Sequence, residues 1–189
     1  MIRSRLSQRG NALLETILFF PVLIGSGLLA GDLYNLSQAR AALESKAFNL
    51  SSILSVQSTL EEKSLAALID AVTGSERPLA LEIVIGKVTP DGIVAWRLQR
   101  GTTSGICPDR LGSRRYAGDL PENARPDDDA ETSDSGMLVV QVCRQSRDLA
   151  LGAALLADKT LENVAINRMR VTDMKLDDSL AREAGLEQL

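Results

Sequence analysis

Glu15 is the one carboxylate near the amino terminus of this chain, and it follows Gly10 and Asn11 by five and four positions. If the Gly10–Asn11 peptide bond were hydrolysed, the new amine would lie four residues before the Glu15 carboxylate, one turn away on a helix. Ammonium and carboxylate at that distance, within one chain or between neighbouring copies, form a favourable ion pair, and a carboxylate in the first turn also suits the helix dipole. The second reactive pair is Cys107 and Cys143, which can form one disulfide. Other chemistry is poorly supplied. With no histidine, one Trp and only those two cysteines, the usual metal-ligand sets and most nucleophile–base pairs are missing, so neither an enzyme nor a cofactor or metal site is expected.

Glu15 is otherwise hard to place. Before Gly10 the only charged side chains are Arg3, Arg5 and Arg9, and from Asn11 to Gly31 the only one is Glu15. Those 21 residues, at about 1.5 Å rise each, match the ~30 Å hydrocarbon core of a bilayer. A carboxylate inside such a segment is unfavourable by roughly 2 to 3 kcal/mol or more unless it is paired. The arginines ahead of the segment place the amino terminus in the cytoplasm and residues after 32 outside. Asp32 follows the apolar run directly, where a secretory signal peptide would have a small-residue cleavage site. Pro21 is expected to kink or locally melt the helix. Gly27 and Gly31 give it a small-residue face that another helix could approach.

These residues resemble the start of type IV prepilins, and within that superfamily the TadE-like minor pilins of the tight-adherence (Tad, or Flp) system. The likeness lies in Arg9-Gly10 before the cut, Glu15 at the fifth mature position and Pro21 six residues further on. It covers about a seventh of the chain, and the later order of helix, hairpin, loop and strands is similar too. The resemblance implies a prepilin peptidase acting after Gly10, Asn11 as the mature terminus and Glu15 as the docking residue. It implies as partners other pilins and minor pilins, an inner-membrane assembly platform and the lipid bilayer. Thr16, where major pilins usually carry an aromatic, and the 189-residue length both indicate a minor subunit.

Beyond the apolar segment, Leu36, Ala39, Leu43, Ala47, Leu50 and Leu54 recur every three or four residues, so the helix continues with one apolar face against either its own sheet or neighbouring subunits. Ser58 and Thr59, followed by Glu61 and Glu62, offer capping boxes for a second helix through Val72, ended by Gly74 and Pro78. Leu81 to Gly86, a Thr89-Pro90-Asp91-Gly92 turn and Ile93 to Gln99 read as a hairpin, and strands are expected over Met137–Cys143 and Val164–Val171. Residues 101–136 read as a surface excursion, tied down by a disulfide once Cys107 and Cys143 lie outside the cytoplasm; two free thiols are the alternative. The run Asp127-Asp128-Asp129 with Glu131 and Asp134 lacks the glycine and final Glu of a calcium loop and reads as solvated acid. Asp177, Asp178, Arg182, Glu183 and Glu187 around Leu176, Leu180 and Leu186 suggest a short, frayed terminal helix.

The expected architecture is α+β: a long amino-terminal transmembrane and stalk helix followed by a small antiparallel sheet domain packed on it. Its parts are a leader (1–10), a transmembrane segment (11–31), a periplasmic helical stalk (32–78), a sheet domain (79–173) with loop 101–136, and a carboxy-terminal tail or helix (174–189). The net charge of −4 comes from acidic residues after residue 118 and argues against nucleic-acid binding. The expected function is a minor pilin needed to assemble a Tad-type adhesive pilus, held in the bacterial inner membrane or built into the fibre. A type II secretion pseudopilin and a single-pass anchored periplasmic binding or sensor module are the alternatives.

Overall fold

In a computed structural model, residues 8–74, 80–112, 114–121, 136–146, 159–171 and 174–186 are described, with side chains from Glu15 onward. Pro78, Glu187 and the acidic run at 127–134 lie outside the described residues, as does most of the leader. The longest element is α1 (Gln8–Leu54), helical without interruption through Pro21, so the expected melting there does not occur. A proline removes only one N–H, and the rest of a 47-residue ladder holds the backbone on either side.

The stripe read from the sequence is the face that α1 buries. Ala39, Leu43, Ala47, Leu50 and Leu54 share one apolar cluster with Ile83, Ile85, Leu98, Leu138, Val140 and Val142. Each fully buried Leu contributes about 1.5 to 3 kcal/mol. Polar bonds fix the seam at its far end: Asn167 Nδ2 donates to Ser51 Oγ (2.7 Å), and the Arg170 N–H to the Ser55 carbonyl (3.0 Å).

The sheet is antiparallel with four strands: β2 (Leu81–Val88), β3 (Val94–Gly101), β4 (Met137–Gln145) and β5 (Thr160–Arg168), in the order β3-β2-β4-β5. The β2–β3 hairpin forms as read, with Gly92 supplying the positive φ (80°) that its turn needs. β5 begins four residues earlier than its alternation suggested and stops at Arg168; Met169 still donates to Gly136 in the β4–β5 register, and the Arg170 N–H then turns to the Ser55 carbonyl just past the end of α1. Side chains on even β4 positions meet α1. Those on the opposite face, with Val84, Val88 and Val139, meet Leu111. The described part of loop 101–136 is therefore a covering layer rather than a free excursion.

Two further expectations change. Ser58 and Thr59 do not cap α2 (Glu62–Thr73); its N-cap is Glu61, which makes no side-chain capping bond. Thr59–Leu60 (β1) instead pairs in parallel with Lys175–Leu176 (β6). The terminal helix, α3 (Asp178–Glu183), is docked and not frayed, since Leu180 is fully buried in the main core.

Candidate functional site

The amino-terminal half of α1 presents an apolar surface that the rest of the chain leaves open. Ile17, Leu18, Phe19, Phe20, Val22 and Leu23 are all more than half exposed, and α1 is long and apolar enough to cross a membrane. Glu15 lies exposed at the start of this surface, four residues after Asn11 on the same unbroken helix. Gly10 and Asn11 are helical in backbone. A Cβ added at Gly27 meets nothing within 4 Å, so the small-residue face stands open there, while Gly31 is half-buried. Asp32, read from the sequence as the polar end of the span, is 1 % exposed, so cover of the helix begins at that residue.

Cys107 and Cys143 are joined in a disulfide, with Cα atoms 5.4 Å apart. What places Cys107 is a carboxylate. Glu82, 1 % exposed, accepts from the main-chain N–H groups of Gly105 (3.0 Å), Ile106 (2.7 Å) and Cys107 (2.7 Å), and from Gln99 Nε2 (2.6 Å). Three successive amides converging on one anion form a nest, and burial makes each bond stronger than it would be in water. Glu82 pairs across the ladder with Cys143, so the same strand position that holds the loop also faces the second sulfur.

Further along the loop, Arg110 reaches Glu162 with Nε (2.5 Å) and Nη2 (3.2 Å), and Gln141 Nε2 donates to both Glu162 Oε1 and the Pro108 carbonyl (2.9 Å each). The Glu162 bond raises the Arg110 pKa above its usual value, and burial raises that of Tyr116 beside it. On the helical face, Asp177 serves two helices. One oxygen accepts from Leu180 N–H (2.9 Å) at the start of α3, the other from Glu62 N–H (2.7 Å) at the start of α2. Those N–H bonds, Glu62 first, hold its carboxyl below the usual range.

The structure thus brings Cys107 to Cys143 and leaves Glu15, Pro21 and Gly27 exposed at successive points along the open length of α1. It does not bring the two groups near a shared cleft, and among the described residues no His, Cys, Asp or Glu cluster suits a metal. Sequence reasoning missed Glu82, Arg110, Glu162 and Asp177. A signal existed for Glu82: it shares its strand face with Val84 and Val88, so that face could not be a solvent face. No protein-family model, curated protein or solved structure matches the chain.

Proposed function

We propose that this chain is a minor pilin (pseudopilin) of a Tad-type adhesive pilus, made as an inner-membrane precursor and cut by a prepilin peptidase after Gly10. The observation that carries the reading is the split along α1. From Ala39 to Leu54 its apolar stripe is buried in the chain's own domain, whereas from Ile17 to Leu33 its large apolar side chains face outward. Such a surface needs lipid or other helices to cover it. A pilin meets both in turn, first as a membrane anchor and then in a helical bundle.

Glu15 and Pro21 support the superfamily, and the disulfide fits an exported, oxidised domain. In this account the amino terminus lies in the cytoplasm and the sheet domain in the periplasm, where it selects partner subunits. The Asn11 amine exposed by cleavage then offers Glu15 of a neighbour the countercharge it needs in an apolar setting. Glu15→Ala is expected to leave processing intact and to reduce the number of fibres per cell. Normal piliation in that variant would remove the docking role. A single-pass anchored binding module would share the exposed helix but would retain its leader.

A further inference from the structure

The two edges of the sheet differ. Along β5, the Met169 N–H donates to Gly136 O and the Ser146 N–H to Lys159 O (2.9 Å each), both continuing the β4–β5 register. Odd-numbered residues of β5 therefore bond to β4, and the N–H and C=O groups of Glu162, Val164 and Ile166 point away from the sheet. Among the described residues nothing bonds to those main-chain groups. The β3 edge is blunted instead. The outward Gln99 N–H donates to the Glu183 carboxylate of α3 (3.4 Å), and Val94 N–H to Arg114 O (3.0 Å). Sheet edges are usually protected in this way, and an open one is a template for another strand.

Beside the open edge, α1 and β5 enclose a groove of about 470 Å³, with Ala41, Ser45 and Phe48 on one wall and Asn163, Ala165 and Asn167 on the other. Phe48 is 59 % exposed there, a large apolar side chain with little cover. We propose that the β5 edge receives an antiparallel edge strand from a different membrane-anchored subunit standing in the same orientation, an inference that rests on the pilin reading above. Alternate side chains of that strand enter the Phe48 groove, and the intervening ones lie beside Val164 and Ile166.

A second copy does not fit this antiparallel arrangement. β5 runs in the same sense as α1, since Asn167 bonds to Ser51 and Arg170, further on, to Ser55. Antiparallel pairing of β5 with β5 would point the two apolar helix ends in opposite directions, which one bilayer cannot hold. β3 of a co-oriented copy has the right sense, but its edge carries Glu183 and Arg114. Along the open edge Val164 and Ile166 are apolar, and the Glu162 carboxylate is already held by Arg110 and Gln141, so the partner strand should be apolar where it lies beside Val164 and Ile166.

A peptide copying residues 160–169 serves as the probe, because it is its own antiparallel complement. With Ala165 set opposite its copy, Glu162 meets Arg, Val164 meets Ile and Asn163 meets Asn. Free of the helix, it has no orientation to satisfy. Titrated into the full-length protein in detergent and followed by fluorescence anisotropy, it should bind saturably. N-methylation at the copies of Val164 and Ile166 should weaken binding by roughly tenfold or more, whereas methylation at the copies of Asn163 and Ala165 should leave it intact. Absent binding, or equal binding of the two methylated peptides, overturns the edge site. Val164→Pro, which removes an outward N–H and no β4–β5 ladder donor, provides the second arm. Loss of peptide binding with an unchanged thermal transition supports the proposal. In cells, normal fibres from Val164→Pro overturn its role in assembly. A wild-type protein that keeps its leader overturns the pilin reading, and the peptide result stands apart from that outcome.

Discussion

Glu82 holds three consecutive amides of the loop with one buried carboxylate, and Gln99 completes its shell. Replacing it with Gln keeps the shape but turns a donor toward amides that need an acceptor, which costs about 1 to 3 kcal/mol. Chemical denaturation of Glu82→Gln should show that loss, with hydrogen exchange rising first at Gly105–Cys107; unchanged exchange there would mean the nest does not hold the loop. The sequence disclosed Cys107 and Cys143 because they are its two cysteines, which leaves one possible pairing within the chain. It did not disclose Glu82, because a glutamate in an alternating strand looks like a solvent residue until the loop that covers it is seen. Arg110 and Glu162 were hidden for the same reason: they lie 52 residues apart and meet only through the fold.

Among the elements, α1 and the β2–β3 hairpin were legible because their signals are local: a repeated three-and-four spacing in one, alternation around Pro90-Asp91-Gly92 in the other. The start of α2 was not, because its first N–H is capped by Asp177, 115 residues away in sequence, while the local Ser58 and Thr59 join other pairings. That capping makes a pH prediction. The Asp177 carboxyl is held down by N–H bonds from Glu62 and then Leu180, and that of Glu183 by Arg100. A depressed folded pKa gives stability that is present above the unfolded value, about 4, and is lost as pH falls through the folded one. The thermal transition of the full chain in detergent should therefore drop as pH falls below about 4, and Asp177→Asn should lower it at neutral pH and flatten the acid limb. An Asp177→Asn curve parallel to wild type would remove this role.

At the scale of the whole molecule, one helix carries two environments: a domain core along Ala39–Leu54 and an open apolar surface before it. The disulfide ties the loop layer to the opposite face of the sheet, joining residues 36 apart. By the chain-entropy estimate it contributes about 3 to 4 kcal/mol, so a Cys107→Ala/Cys143→Ala protein should unfold at correspondingly lower denaturant; an unshifted midpoint would show that the loop is held by Glu82 and Arg110 alone. Fold class and helix extent followed from the sequence, whereas the docking of loop and tail depended on contacts between distant residues. The central claim remains that Gly10 and Asn11 form a cleavage site whose product supplies a partner for Glu15. Intact-mass and amino-terminal peptide spectrometry of the protein purified from its own membranes tests it most directly. The account predicts a chain that begins at Asn11, and a chain that retains Met1–Gly10 or begins at any other residue would contradict it.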